Sequence, residues 1–312
     1  MSRVCSRCHQ DAVYLRRTTS ESLCKDCLIQ TTEERVRRTI NAGKMLHEDD
    51  RIVVAISGGK DSAVLLDLLS RIEKNHPRAK LIPLCIDEGI EGYRSRSIAA
   101  AQSVSDRVGL ELHVAEFAEL FGVTLDEIVQ LRKAGDVGAC SYCGVLRRRA
   151  INHMARRLDA TVVATGHTLD DEAQTVIMNL MRGDGRRIAT RSLERSRLDP
   201  SFVPRVKPIS RLTERDVVAY AHHTGLPYHS SPCPYASEAF RNDVRLFLNA
   251  MEYRRPGTLS AIVNSAQYLS EALHGLSTDR DLSRCVRCGE VSPNTLCKAC
   301  ELLDRLRSER RL

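Results

Sequence analysis

The sequence predicts an α/β fold, an open, doubly wound parallel sheet, with a four-cysteine metal module at each end of the chain. Three observations predict it. Short β-branched runs alternate with helical patterns through the middle of the chain. A glycine-rich turn, Ser57-Gly58-Gly59-Lys60-Asp61-Ser62, joins the first of these runs to the first of these helices. Paired Cys-x-x-Cys knuckles stand at both ends.

In order, residues 1–30 form the first cysteine module and residues 31–50 a linking helix, on the spacing of Val36, Ile40 and Met45. Residues 51–235 carry the alternating pattern. "RIVVAIS" is a buried strand, and the helix after it places Val64, Leu65, Leu68, Leu69 and Ile72 on one face. "KLIPLCID" and "LELHVAEF" are strands separated by the helix "IAAAQSVSDRVG". "GVLRRRAINHMARRLD" is a helix, "ATVVATG" a strand and "LDDEAQTVIMNLMRG" a helix. Residues 183–204 read as a mobile basic loop, after which a helix resumes with Thr213 or Ser210 as its cap. Residues 236–280 are a helical extension and residues 281–312 the second cysteine module.

Bulk composition narrows the function classes. At 42% hydrophobic residues, a 312-residue chain can bury a sizeable core. No apolar run reaches the roughly 18 residues of a membrane span, and "MSRVCSRCHQ" lacks the apolar centre of a signal peptide. A cytoplasmic protein with no membrane partner is expected. The net charge of +7 favours a polyanionic partner.

The cysteines sort by spacing. Cys5-x2-Cys8-x15-Cys24-x2-Cys27 and Cys285-x2-Cys288-x8-Cys297-x2-Cys300 each have the pattern of a closed tetrahedral zinc site, so two Zn²⁺ are expected; redox dithiols are the alternative. His9 is a bystander. Cys140 and Cys143 form a further Cys-x-x-Cys between a loop and an arginine-rich helix, and Cys233 stands alone in "SSPCPYA". Three converging thiolates suit zinc or an iron–sulfur cluster with one open position; a redox pair plus an unrelated cysteine is equally compatible with the spacing. Cys85, inside an apolar strand, is a small buried residue.

The loop Ser57–Ser62 is an anion cradle. Its two glycines let backbone N–H groups approach a ligand, the following helix contributes its positive end, and Lys60 and Ser62 add a charge and a hydroxyl. The Walker A spacing is absent. In "TGHTLDDEAQT", Gly166 ends a strand, and Asp170 and Asp171 open a helix. These acids are explained by the helix dipole, or by Mg²⁺ held between carboxylates and phosphates.

Taken together, "SGGKDS", "DEGIEGYR", "CSYCGVLRRR", "TGHTLDDEAQT" and "LMRGD" resemble the tRNA 2-thiolation enzymes of the PP-loop ATP-pyrophosphatase superfamily, the TtcA and TtuA kind. Within that group the chain is most similar to the cytoplasmic tRNA 2-thiolation protein family, including its terminal zinc ribbons. The resemblance implies a PP-loop, adenine-nucleotide α-hydrolase-like fold that cleaves ATP between the α- and β-phosphates. It implies adenylation of the C2 oxygen of the wobble uridine, position 34, followed by sulfur transfer. The same chemistry at position 54 is the nearest alternative. A cluster-free ligase or amidotransferase is a further one, which the three central cysteines argue against.

The resemblance also assigns residues. Ser57, Gly58, Gly59, Lys60, Asp61 and Ser62 would hold the phosphates and Gly166 would line the nucleotide pocket. Asp171 would be the catalytic or Mg²⁺-linked carboxylate, ahead of Asp170. Cys140, Cys143 and Cys233 would bind an oxygen-sensitive [4Fe-4S] cluster with one iron open to incoming sulfide, a reading ranked above a persulfide and disulfide relay. The sulfur donor would be a ubiquitin-like thiocarboxylate protein or free sulfide, and the chain would form a homodimer or pair with a related subunit. For tRNA phosphates the candidates are Arg147, Arg148, Arg149, Arg156 and Arg157, with Arg182, Arg186, Arg187, Arg191, Arg195 and Arg197. Tyr93 and Tyr142 are the candidates for base stacking.

Overall fold

The structure is a computed structural model, and it describes residues 4–133, 135–190, 195, 199, 201–236, 240–273 and 283–309. The chain opens with an antiparallel hairpin, β1 (Tyr14–Arg16) and β2 (Glu21–Leu23), followed by α1 (Lys25–Ala42). The central part runs β3 (Arg51–Ala55), α2 (Lys60–Glu73), β4 (Lys80–Asp87), α3 (Arg94–Val108) and β5 (His113–Glu116). It continues with α4 (Phe117–Phe121), α5 (Leu125–Leu131), α6 (Ala139–Arg157), β6 (Val162–Thr165), α7 (Leu169–Met181), α8 (Gly185–Ala189), β7 (Arg205–Val206) and α9 (Glu214–Thr224). Helices α10 (Arg241–Arg254) and α11 (Thr258–Leu273) follow, then the hairpin β8 (Ser283–Arg284) and β9 (Val291–Ser292), and α12 (Lys298–Glu309).

The five central strands form one parallel sheet in the order β5-β4-β3-β6-β7. Burial on both faces explains the continuous apolar runs. Ile52 and Val54 of β3, Cys85 of β4, and Val162 and Ala164 of β6 face one core, built with α1, α2, α3 and α9. Val53, Leu84, Ile86 and Val163 face the other, built with α5, α6 and α12. Strand order reverses between β3 and β6, and a crevice at the carboxyl ends of such strands is where ligands of open α/β sheets bind.

Several boundaries differ from those read in the sequence. Helix α1 begins at Lys25 because Cys24 caps it, its Sγ accepting from the Cys27 N–H at 3.4 Å. The module and the linking helix are therefore continuous, and Met45 lies beyond the helix, buried after the turn at Gly43. Helix α6 begins at Ala139, so Cys140 and Cys143 lie in its first turns, with Tyr142, Leu146 and Ala150 buried beneath them. Helices α4 and α5 had no counterpart in the reading, although Thr124 and Glu127 form a capping box. The 183–204 segment includes the short helix α8, capped by Asp184. Thr213, rather than Ser210, caps α9.

Both cysteine modules are fastened to the central sheet. The first is held by Asp216 of α9, 1% exposed, which accepts from Arg16 Nε at 3.0 Å and Arg35 Nη1 at 2.9 Å and from the Tyr14 hydroxyl at 3.1 Å. The second shares a core with α6: Cys285, Cys297, Cys300, Leu302 and Leu306 pack with Tyr142, Leu146 and Ala150. Arg156 pairs with Glu290, and Arg149 Nη1 donates to Cys300 Sγ at 3.4 Å. Among the described residues no helix is long and apolar enough to cross a membrane.

Asp216→Ala strands two arginines at a buried site and removes the carboxylate half of the α9 capping box, and should cost about 3–5 kcal/mol in denaturant unfolding. Burial works against ionised Asp216, but Arg35 and Arg16 outweigh it and hold the carboxyl below its ordinary range. A depressed folded-state value contributes stability that is present above the unfolded value of about 3.9 and lost as pH falls. The alanine variant should accordingly show a shallower loss of stability towards acid.

Candidate nucleotide and cluster site

The glycine-rich loop spans β3 to α2. Gly58 has φ +84°, and a Cβ there would lie 2.0 Å from the Ser97 carbonyl oxygen, so glycine is required on both backbone and steric grounds. Gly59 is the N-cap of α2 and supplies no side chain to cap it, which leaves the first N–H groups of the helix to an anion. Ser62 braces the loop from within. Its buried hydroxyl donates to the Gly59 carbonyl at 2.9 Å and accepts from the Ser57 N–H at 3.1 Å. Ser62 thus shapes the cradle, while Lys60 supplies the charge. Lys60 Nζ rests 2.7 Å from Glu214 and 3.4 Å from Asp61.

The loop after β6 closes against this one. A Cβ on Gly166 would come within 3.1 Å of the Asp61 carbonyl carbon and the Ser62 nitrogen. Beyond it, Asp171 forms a capping box with Thr168, whose N–H donates to Asp171 Oδ2 at 3.0 Å; Asp171 Oδ1 faces Arg241 at 3.6 Å. Asp170 is buried, and its Oδ2 accepts from the Glu214 N–H at 2.7 Å. Burial pushes Asp61 up to about 6, and the charges of Asp171 and Glu214 push the same way against Lys60. Burial likewise lifts Asp170 to about 6, with Glu214 and Asp171 adding to it.

Crowded carboxylates, together with a buried Asp61 Oδ1 that has no hydrogen-bond partner, make a donor set suited to Mg²⁺ shared with phosphate oxygens.

The three central cysteines meet close by. Burial pushes the Cys143 thiol up to about 11; Arg147 opposes this, while Glu88, Cys233 and Cys140 add to it as neighbouring charges. Arg147 Nη2 donates to Cys143 Sγ at 3.2 Å, and Cys140 Sγ lies 3.5 Å from the Tyr235 carbonyl. The terminal modules are tighter. In each, the four ligand atoms lie within 4.8 Å of one another, with Cys8 and Cys24 sulfurs 3.5 Å apart and Cys288 and Cys297 sulfurs 3.6 Å apart. A Zn–S bond of about 2.3 Å requires roughly that spacing in a tetrahedron. Burial opposes ionisation of Cys5, yet backbone N–H groups of Cys24, Arg7 and Cys8 outweigh it and bring the thiol to about 6. Cys285 is brought to about 6 in the same way by Cys297, Arg287 and Cys288. Cys140, Cys143 and Cys233 form no group of that tightness among the described residues. Their looser convergence suits a polynuclear cluster, whose irons hold thiolates further apart than a single ion does.

A PP-loop domain family model matches residues 29–252. The cytoplasmic tRNA 2-thiolation protein 1 of Aspergillus niger is 37% identical over 308 residues, covering 98% of this chain and 89% of the relative. The tRNA 2-thiolation protein NcsA of Haloferax volcanii is 35% identical, covering 97% and 98%. The chain belongs to the tRNA 2-thiolation family of PP-loop proteins. A solved structure of a family member, the U34-tRNA thiolase NcsA from Methanococcus maripaludis with its [4Fe-4S] cluster, matches with a TM-score of 0.84 at 33% identity, covering 97% of this chain and 96% of that one.

Within the family fold, the structure brings Gly58, Gly59, Lys60, Asp61, Gly166 and Asp171 together at the switch point. It corrects several arginine and tyrosine readings. Tyr142 is fully buried, with its hydroxyl donating to Asp136 at 2.6 Å, and cannot stack on a base. Arg195 pairs with Asp50 at 2.7 Å and Arg147 with Glu88 at 2.6 Å, and Arg149 and Arg156 are committed to the second cysteine module. Arg148, Arg157, Arg182, Arg186 and Arg187 are exposed; Arg191 and Arg197 lie outside the described residues. Cys85 is buried, as its strand position implies.

Sequence reasoning missed Glu88, Arg94 and Glu214. Glu88 and Arg94 lie in the "DEGIEGYR" run used for recognition; Glu214 follows the cap Thr213 and reaches Lys60 only through the fold.

Gly58→Ala should abolish measurable ATP binding in titration calorimetry. Asp61 must be ionised to share a cation with phosphate. Mg²⁺-dependent ATP affinity should therefore fall as pH drops through about 6, by up to about tenfold per unit below it. Asp61→Asn should flatten that dependence.

Proposed function

We propose that this protein is an ATP-dependent tRNA 2-thiouridine synthetase acting on the wobble uridine, position 34. The observation that carries the reading is the meeting of Cys140, Cys143 and Cys233 beside a nucleotide loop of the PP-loop kind, in a chain that matches a U34-tRNA thiolase over nearly its full length. A cluster-free ligase would have no use for that convergence. The likeness to a U34-tRNA thiolase favours position 34 over position 54.

The mechanism follows from the site. The loop N–H groups and Lys60 hold the β- and γ-phosphates; Asp61 and Asp171 would hold Mg²⁺, which would neutralise phosphate charge. The uridine C2 oxygen attacks the α-phosphorus, pyrophosphate leaves, and C2 becomes an electrophile with AMP as its leaving group. Sulfur then attacks C2 and AMP departs. Lys60, released from Glu214 by the incoming phosphates, stabilises the developing charge on pyrophosphate.

Cys140, Cys143 and Cys233 would hold the [4Fe-4S] cluster, which supplies an open iron as a Lewis acid for the sulfur. The two four-cysteine modules would each hold a Zn²⁺, bracing the catalytic domain of residues 51–235 from either side. The sulfur donor is a ubiquitin-like thiocarboxylate protein or sulfide, and the working unit is a homodimer or a pair with a related subunit, in the cytoplasm.

For tRNA, the charge distribution favours Arg148, Arg187 and Arg205 as phosphate contacts. Partial desolvation, then the charge of Arg148, brings Arg205 down to about 10, and Arg148 is lowered by desolvation and by Arg187 and Arg147. Like charges held this close are relieved by an anion.

In cells lacking this gene, nucleoside mass spectrometry mapped by position should show loss of 2-thiouridine at position 34, with position 54 unchanged. Cys233→Ala should fail to restore it. Restoration by that variant overturns the cluster reading, and loss at position 54 alone moves the target. The affinity for tRNA should fall steeply with salt, and Arg148→Gln should reduce the log–log slope by about one.

A further inference from the structure

Glu88 lies just past the end of β4 and is 1% exposed. Its backbone is fixed from two sides. Its carbonyl accepts from the Leu125 N–H at 2.7 Å. Gly89 beside it has φ +68°, where a Cβ would lie 2.6 Å from Thr124 Cγ2, and its N–H donates to Asp87 Oδ1 at 2.8 Å. The side chain is divided between two arginines: Oε2 lies 2.8 Å from Arg94 Nε, and Oε1 lies 2.6 Å from Arg147 Nε.

Each arginine uses its Nε on Glu88 and turns its terminal nitrogens elsewhere. Arg94 Nη1 donates to the Ser57 carbonyl at 3.2 Å, and Arg94 Nη2 donates to the Ile86 carbonyl at 2.5 Å and to Cys85 Sγ at 3.0 Å. Arg147 Nη2 donates to Cys143 Sγ at 3.2 Å. A continuous set of polar contacts thus runs from Ser57 through Arg94, Glu88 and Arg147 to Cys143. A carboxylate shared by two cations holds each less firmly than a single pair would, so displacement of one is felt by the other.

The nucleotide loop is the end of this set at which a ligand would act: Lys60 pairs with Glu214 at 2.7 Å, and a bound phosphate would compete for that lysine. Hydrogen bonds and charge at a ligating sulfur tune the reduction potential of an iron–sulfur cluster. We propose that Glu88 is a positioning residue that couples occupancy of the nucleotide loop to the electronic state of the cluster, acting through Arg94 on one side and Arg147 on the other. This rests on the reading that Cys140, Cys143 and Cys233 hold that cluster. Its consequence is that sulfur delivery is made ready only when ATP is in place.

The test uses the anaerobically reconstituted full-length protein and α,β-methylene-ATP, which cannot be cleaved at the reacting bond. The reduction potential of the cluster is measured by a redox titration followed by electron paramagnetic resonance, with and without the analogue. In the wild type the analogue should shift the potential. In Glu88→Gln, iron content and affinity for the analogue should stay at wild-type levels and the shift should vanish. Arg147→Lys, which keeps the charge but loses the forked contact, should also lose the shift; it decides the matter if Glu88→Gln fails to fold or to load iron. Arg147→Gln should lower the resting potential, because a cation beside the sulfur favours the reduced state. No nucleotide-induced shift in the wild type, or an undiminished shift in Glu88→Gln, overturns the coupling while leaving the cluster reading intact. Failure of the wild type to take up a four-iron cluster overturns both.

Discussion

The close approach of two loops at the carboxyl end of the sheet governs this molecule. Gly166 lies against the backbone of Asp61 and Ser62, and Gly58 lies against the Ser97 carbonyl. No side chain larger than hydrogen fits either position without moving backbone. That contact sets the distance between the loop after β3 and the one after β6. It thereby places the N-termini of α2 and α7 side by side, each with its acids in the first turn. The rest of the fold keeps those two strands in register: β3 pairs with β6 from Ile52–Val162 to Ala55–Thr165 at the centre of the sheet, and both faces are sealed by helices.

Around that contact the protein gathers charges that repel one another. Asp61, Asp170, Asp171 and Glu214 crowd one side, Arg148, Arg187 and Arg205 crowd another, and three thiols share a third. Each grouping is costly when alone and is relieved by a partner of opposite charge, whether a cation, a phosphate or iron. Other buried ion pairs serve attachment: Asp216 with Arg16 and Arg35 fixes the first cysteine module, and Asp50 holds Arg195.

The sheet was legible because parallel strands buried on both faces give unbroken runs such as "RIVVA" and "KLIPLCID", and because the glycine-rich turn fixes where the first βα junction falls. The terminal modules were legible from spacing alone, since a knuckle brings its two cysteines together within a few residues. The central trio could be nominated but not joined, because Cys233 reaches Cys143 only through the whole crossover from α6 to the segment after α9. The arginines misled for a related reason. Arg147, Arg149 and Arg156 share a helix and a charge, and only the neighbours at Glu88, Cys300 and Glu290 show that they face inward partners. Helices α4 and α5 were missed because five and seven residues are too few for a periodicity to declare itself.

The shared core between α6 and the second cysteine module bears on the order in which the protein can be made. The helix carrying Cys140 and Cys143 leaves the ribosome long before Cys285, Cys297, Cys300 and Leu302, which form its outer wall. Until that wall arrives, Tyr142 and Leu146 pack against the sheet and α5 on one side only, and the outer side of α6 is uncovered. The support of the helix that carries Cys140 and Cys143 is therefore completed last, by the module that is synthesised last and folds against it.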